Sequence, residues 1–337
     1  MADSVLVVGP AWVGDMVMAQ ALFMRLQQRR PGTQIDVLAP AWSLPILARM
    51  PEVRSGIEMP LGHGQFGFGL RRELGRSLRG KKYAQAIVLP GSWKSALAPF
   101  FARIPRRTGF RGEMRYGLLN DVRPLDKLLL KTTVQRFVAL AEDGAAPLAP
   151  EIPQPRLTVN AARAAELRAG LGLAEGKTVA LLPGAEYGPA KQWPAEYYGA
   201  LAQQLAAEGV QCWVFGSGKE KELGEQIRGA SGGTALNLCG RTQLADVVDL
   251  LSLCRAAVTN DSGLMHVAAA SGVPVAAIYG SSTPDFTPPL TGRKHIHYLR
   301  LECSPCFERT CPLIHYNCLR QLRPEAVRSS LRTLAGL

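Results

Sequence analysis

Val258-Thr-Asn-Asp-Ser-Gly-Leu-Met-His266 is the stretch whose reading decides the fold. The apolar run before it, from Cys254 to Thr259, is short enough for a buried parallel strand. The residues after it, Leu264 to Ser271, have helical character and are stopped by Gly272. A second apolar run, Val275 to Tyr279, closes a strand–helix–strand unit. Asp261 or Ser262 then falls at the helix N-cap, and Gly263 lets a ligand approach the backbone. Free amides and the helix dipole at such an end attract phosphate. His266 stands one turn along, facing the same ligand. Two plainer roles compete with this reading: Asp261 as a cap only, and His266 as a surface histidine. The other strand ends decide between them.

Working outward, strands and helices alternate along the chain. Strands are expected at Val5–Val8, Ile35–Ala39, Ala84–Leu89, Thr178–Leu182, Val210–Phe215, Ala235–Leu238 and Ala256–Thr259. Helices are expected at Asp15–Arg29, Ser92–Ala102, Thr132–Glu142, Pro194–Glu208, Lys219–Arg228, Leu244–Leu253 and Pro324–Leu334. Such alternation calls for parallel sheets covered on both faces. The proline-rich run Gly144 to Pro155 reads as a linker. It divides the chain into residues 1–150 and 151–337, two doubly wound Rossmann-like α/β domains expected to face one another across a cleft. The last helix is free to pack back on the first of them. A glycine-rich loop, 62–69, carries no assignment. The basic segment Arg106 to Arg123 reads as a mobile substrate-binding loop.

With 337 residues, 47% hydrophobic and 20% charged, the composition is that of a globular protein. No apolar run reaches membrane-spanning length. The N-terminus enters a strand directly, without the features of a signal peptide, so a cytoplasmic protein is expected. A net charge of +12 and a pI near 9.6 favour an anionic partner. Basic density at Arg71-Arg72, Arg79–Lys82 and Arg103–Arg115 lacks the motifs of nucleic-acid readers, so nucleic acid is not expected. The seven cysteines are an odd number, which argues against a disulfide framework.

In open α/β sheets, ligands bind beyond the carboxyl ends of the strands. The first strand ends in Gly9-Pro-Ala-Trp-Val-Gly-Asp15, whose glycine spacing is not the dinucleotide fingerprint. Asp15 opens a helix there, and both cap and catalyst remain open for it. Leu182 leads into Pro183-Gly-Ala-Glu-Tyr-Gly-Pro-Ala-Lys-Gln-Trp193, a loop in which Gly184, Ala185, Glu186 and Lys191 are candidate partners of a diphosphate. After Phe215 comes Gly216-Ser-Gly-Lys-Glu220, which fails the P-loop pattern because Glu220 stands where Ser or Thr is required. Glu220 instead suits a ribose, with Gly216 and Ser217 beside it. The small-residue turn Cys239 to Thr242 fits against a base. Four strand ends of the second half thus offer phosphate, ribose and base partners together.

Several strings resemble the heptosyltransferases of glycosyltransferase family 9. They are Trp12-Val-Gly-Asp-Met, Gly109 to Asp121, Pro183 to Trp193, Phe215-Gly-Ser, Thr259 to His266 and Ser282 to Pro289. The resemblance covers nearly the whole chain. It implies a GT-B fold and an inverting, metal-independent transfer of L-glycero-D-manno-heptose from ADP-heptose to the first heptose of the lipopolysaccharide inner core, releasing ADP. It also implies Asp15 as base, and Lys191 with Asp261, Ser262 and Gly263 as holders of the diphosphate. The first domain would bind the acceptor, heptosyl-Kdo2-lipid A, using Trp12, Gly14, Lys94, Arg107, Arg111 and Arg115. The second would bind the donor. The net basic charge suits such an acceptor at an anionic membrane, which places the protein peripherally on the cytoplasmic face of the inner membrane. Alternatives are another heptosyltransferase, an epimerase-like nucleotide-sugar enzyme, or a non-catalytic nucleotide-sugar binder.

Cys303-Ser-Pro-Cys306, Cys311 and Cys318 form a C-x2-C-x4-C-x6-C array with His315 inside it. Such clusters hold zinc or iron–sulfur centres when their geometry allows. This spacing matches neither a common finger nor a ferredoxin run. Free thiols are expected ahead of a structural metal, and no cofactor is required.

Overall fold

The computed structural model describes residues 4–62, 64–144 and 152–337. The chain divides into two compact units, Met1–Pro155 and Arg156–Leu337. Most of the proline-rich linker lies at 145–151, outside the described residues.

Each unit is built on a parallel sheet of six strands. In the first these are β1 (Ser4–Val8), β2 (Gln34–Ala39), β3 (Val53–Glu58), β4 (Gln85–Val88), β5 (Arg106–Phe110) and β6 (Asp121–Arg123). Their spatial order is β3-β2-β1-β4-β5-β6. In the second they are β7 (Thr178–Leu182), β8 (Gln211–Val214), β9 (Ala235–Asn237), β10 (Ala256–Asn260), β11 (Val275–Ile278) and β12 (Lys294–His297). Here the order is β12-β11-β10-β7-β8-β9. The central strands are continuous apolar runs because both faces are covered: all of β7 and β10 is buried.

In both sheets the winding reverses direction once, between β1 and β4 and between β7 and β10. The loops leaving two such neighbouring strands diverge to opposite faces and open a crevice at their carboxyl ends. The order of strands therefore fixes, before any side chain is considered, where each unit can hold a ligand.

Arg106 to Arg123 is not a mobile loop. It supplies β5 and β6, paired in parallel from Thr108↔Asp121 to Phe110↔Arg123. Its basic composition hides a strand because Asp121 sits among the cations. The Asp121 carboxylate accepts from Thr108 Oγ1 at 2.9 Å and from Arg106 Nε at 3.0 Å, and Arg123 Nη2 lies 3.1 Å away. The glycine-rich loop runs through Gly67, at φ +54, into the helix Phe68–Ser77; its residue His63 lies outside the described set. Two further strands, β3 and β12, and the helix Ala161–Gly170 escape the periodicity reading because they are short, exposed or edge elements. The last helix, Pro324–Ala335, packs within its own unit, burying Val327 and Leu331 in the core that holds Trp193 and Tyr198. No described helix is long and apolar enough to cross a membrane.

Candidate active site

In the second unit the reversal point is filled by a charge pair. The loop leaving β7 carries Lys191 at the end of a 3-10 turn, Pro189–Lys191. The loop leaving β10 carries Asp261. Lys191 Nζ donates to Asp261 Oδ2 at 2.6 Å, and both side chains are largely withdrawn from water. Asp261 Oδ1 accepts from Thr287 Oγ1 at 3.3 Å. Asn260, the last residue of β10, ties the two loops together. Its Oδ1 accepts from Trp193 N at 3.0 Å and Tyr198 Oη at 3.1 Å, while its Nδ2 donates to Pro183 O at 2.7 Å. Trp193, fully buried, hands its Nε1 proton to Leu322 O at 2.9 Å. Lys191 is thus anchored by its neighbours on both sides.

These contacts exclude the plainer roles of Asp261 and His266. The N-cap of the helix Gly263–Ala270 is Ser262, and no side chain caps it. The start of that helix therefore carries no side-chain cap, and Asp261 holds Lys191 instead. His266 is buried, and its Nδ1 has no hydrogen-bond partner. Burial pushes its imidazole down to about 4, with Asp261 opposing the change and Lys191 assisting it. It is a neutral ring at physiological pH, with one nitrogen uncommitted. The hydroxyls of Ser281, Ser282 and Thr242 are likewise buried without partners. Buried polar atoms are seldom left unpaired, so His266 Nδ1 is available to a polar ligand.

Beside the pair, the ends of β7 and β8 approach each other. Glu220 Oε2 accepts from Ser217 N at 2.7 Å and from Ser217 Oγ at 2.5 Å. A Cβ on Gly216 would stand 2.8 Å from Glu220 Cβ, and one on Gly184 3.5 Å from its Cγ. Gly184, Gly216, Ser217 and Glu220 are thus brought together. Ala185 O accepts from Gly188 N at 3.0 Å within the Lys191 loop. Glu186 is turned outward, 3.2 Å from exposed Lys219.

In the first unit the reversal point is open. A pocket of about 860 Å³ lies at the ends of β1, β2, β4 and β5, with Trp12, Asp15, Lys94 and Arg111 among its lining residues. Asp15 is the third residue of the helix Val13–Arg29, and Gly14 is buried behind it. Trp42 stands beside Trp12 in the lining and donates from Nε1 to Ala11 O at 2.8 Å. Arg71, Lys127 and Arg136 also line the pocket. Sequence reasoning gave these three no role. They come from separate helices and loops, and no local pattern unites them.

Arg107 and Arg115 are placed differently from what an acceptor role requires. Arg115 is fully buried. Its Nη1 donates to Pro90 O at 2.6 Å and to Ser95 Oγ at 3.2 Å, and its Nη2 donates to Phe110 O. Burial pulls its pKa down to about 10. Arg107 Nε and Nη1 donate to Leu118 O and Ile104 O, each at 2.6 Å. Both guanidinium groups are engaged in holding backbone carbonyls together.

The four clustered cysteines are free thiols lining a small cavity of about 20 Å³, with His315 in its wall. Burial pushes the Cys318 thiol up to about 11, and the neighbouring sulfurs of Cys303, Cys311 and Cys306 push the same way. Among the described residues no group of three or more His, Cys, Asp or Glu is arranged to hold a metal ion. The structural-metal reading therefore gains no support.

A doubly wound unit with a cation and an uncapped helix start suits a departing phosphate, and one with a carboxylate over a roomy basic pocket suits a hydroxylated anionic acceptor. The two units together suit a group-transfer enzyme. The family model "Glycosyltransferase family 9 (heptosyltransferase)" matches residues 71–317, and the chain belongs to this family. It is 52% identical over 302 residues to lipopolysaccharide heptosyltransferase 2 of Escherichia coli K12, covering 87% of each chain. It is 48% identical over 305 residues to lipooligosaccharide heptosyltransferase 2 of Haemophilus influenzae, covering 87% of this chain and 88% of that protein. The solved structure of E. coli ADP-heptose lps heptosyltransferase II superposes with a TM-score of 0.90 at 45% identity, over 98% of both chains. The fold is GT-B.

Proposed function

We propose that the protein transfers L-glycero-D-manno-heptose from ADP-heptose to the first heptose of the lipopolysaccharide inner core, with inversion, without a metal, and with release of ADP. The observation that carries this reading is the Lys191–Asp261 pair at the β7/β10 reversal, set against uncapped helix amides and the uncommitted Nδ1 of His266. In the ground state Asp261 holds Lys191 in place. As the glycosidic bond breaks, negative charge grows on the diphosphate, and a pre-placed ammonium stabilises that transition state more than the bound donor. Lys191 and the amides after Ser262 supply the countercharge that a metal supplies in other transferases. Glu220 with Gly184 and Gly216 suits the ribose, and Thr242 the base.

The first unit takes the acceptor. Asp15 accepts the proton of the attacking hydroxyl, whose acidity rises as it approaches an oxocarbenium-like centre. Lys94, Arg111, Lys127 and Arg136 give the pocket the charge to receive Kdo carboxylates and lipid A phosphates. Incubation with ADP-heptose and heptosyl-Kdo2-lipid A, with EDTA present, should yield ADP and a product one heptose heavier with inverted anomeric configuration. No product, or consumption of ADP-heptose without acceptor, rejects the reading.

The protein then works on the cytoplasmic face of the inner membrane, where such an acceptor resides. Exposed Phe66, Phe68, Trp93 and Phe100 support this. Phe66 has its ring centroid 6.2 Å from those of Phe68 and Trp93. Arg72 and Arg76, on the helix that Phe68 opens, are exposed, as are Arg79 and Arg103. Exposed aromatic rings together with exposed cations suit an anionic interface. Sedimentation with phosphatidylglycerol vesicles should exceed that with phosphatidylcholine vesicles and fall in a Phe66→Ser, Phe68→Ser variant. Equal sedimentation in all three cases removes the membrane assignment.

A further inference from the structure

The segment that carries the cysteine array has no part in the chemistry above, yet it grips the loop that carries Lys191. Ala190 N donates to Arg309 O at 3.0 Å. Ala190 O accepts from Ser281 N at 3.0 Å, and Ser281 O accepts from Phe307 N at 2.7 Å. Ala190 and Ser281 both form part of the wall of the small thiol-lined cavity. Gly188, at φ +155, lies so close that a Cβ there would stand 2.4 Å from Arg309 O. Tyr187 spans the junction. Its hydroxyl donates to Phe307 O at 2.5 Å, and its ring centroid lies 5.2 Å from Lys191 Nζ and 5.4 Å from Arg309 Cζ.

Resting on the donor-site reading above, we propose that the cysteine-rich segment 303–318 is a brace that positions Lys191, and that Tyr187 is the positioning residue through which it acts. A lysine side chain has four rotatable bonds, and its charge is useful only if the ammonium stays where the diphosphate charge develops. Asp261 draws Nζ from one direction. The electron-rich face of Tyr187 confines it from another, and the ring is itself fixed by its hydroxyl on Phe307 O. The backbone contacts at Gly188 and Ala190 hold the base of the same side chain. A site supported in this way loses function when its supporting shell is loosened, even with every reacting group present.

The prediction is a coupling between Tyr187 and Lys191 that is specific to the second phosphate. Affinities for ADP and AMP are to be measured in Lys191→Ala, Tyr187→Ala, Tyr187→Phe, Gly188→Ala and the Lys191→Ala, Tyr187→Ala double variant. Lys191→Ala should abolish most of the preference for ADP over AMP. Tyr187→Ala should cut that preference roughly tenfold while leaving AMP affinity and Tm near wild type. The double variant should be no worse than Lys191→Ala alone, because the tyrosine acts through the lysine. Tyr187→Phe keeps the ring but loses its tie to Phe307 O, so it should show part of the Tyr187→Ala loss. Gly188→Ala, whose Cβ forces the loop off Arg309, should reproduce the Tyr187→Ala defect. The rate of Lys191 amidination, read by peptide mass spectrometry without nucleotide, should rise in Tyr187→Ala. That readout separates the brace from the diphosphate reading beneath it. Unchanged labelling and an unchanged ADP/AMP ratio in Tyr187→Ala, or additive losses in the double variant, overturn the brace. Faster labelling in Tyr187→Ala with no effect of Lys191→Ala on the ratio would keep the brace and remove the diphosphate reading.

Discussion

The first unit leaves its reversal point open, as a pocket of about 860 Å³ between β1 and β4. The second fills the equivalent place between β7 and β10 with an ion pair 2.6 Å long. The backbone plan is shared, so the difference lies in what the loops carry. After β7 and β10, Asn260 stitches the loops together and Asp261 fixes Lys191. After β1 and β4, Gly91 leaves space, and the aromatic rings of Trp12 and Trp42 stand at the lining. A small, invariant ligand group such as a diphosphate rewards pre-positioned countercharge. A bulky saccharide needs room and dispersed charge.

This contrast can be broken at its strongest point by Asp15→Asn, which keeps size while removing the proton acceptor. The expected loss is on the order of 10²–10⁴ in turnover with ADP affinity unchanged. Near-normal turnover in a folded variant would leave Asp15 as a helix-end residue and the first unit without a base.

Arg115→Met tests whether the first unit's rigidity is separable from its recognition. Several buried carbonyls would lose their donor, so stability should fall by about 2–4 kcal/mol, read as a lowered Tm. The acceptor Michaelis constant per folded molecule should stay put. A raised constant at unchanged Tm would instead make Arg115 an acceptor contact.

The dispersed charge of the open pocket should appear as a recognition effect. Lys94→Ala combined with Arg111→Ala should raise the acceptor Michaelis constant roughly tenfold, mostly at low salt, and leave the donor constant alone. An equal effect on both substrates would show that the two units do not divide recognition as proposed.

A pH effect sharpens the picture of the second unit as a desolvated site. Burial pushes His266 and His297 each down to about 4 from an ordinary 6.5. The unfolded chain therefore takes up protons first as pH falls. The stability these rings contribute is complete above about 6.5 and is lost progressively between there and about 4, with a limiting slope of ~1.4 kcal/mol per pH unit for each ring. Thermal unfolding followed from pH 7 to 4.5 should show this slope, and a His266→Asn, His297→Asn variant should flatten it. A slope unchanged in that variant would place the acid sensitivity elsewhere.

The repeating strand–helix pattern, the two units and the strand-end loops of the second unit were legible in the sequence. Each is a local signal, since apolar runs, glycines and helix stops are set by neighbours in the chain. Lys191 and Asp261 were both legible as candidates. That they bind each other was not, because they lie 70 residues apart and meet only when β7 and β10 become neighbours. The strand at Arg106–Phe110 was masked by its own charge, which Asp121 offsets only across the sheet. Arg115 reads as a surface cation, yet tertiary structure buries it on carbonyls contributed by Pro90 and Phe110. Tyr187 carried no signal, since its partners Phe307 and Arg309 stand more than a hundred residues away. Local chemistry is written along the chain. Which of those groups meet, and whether a charge faces water or is spent inside, depends on loop closures that only the folded sheets bring about.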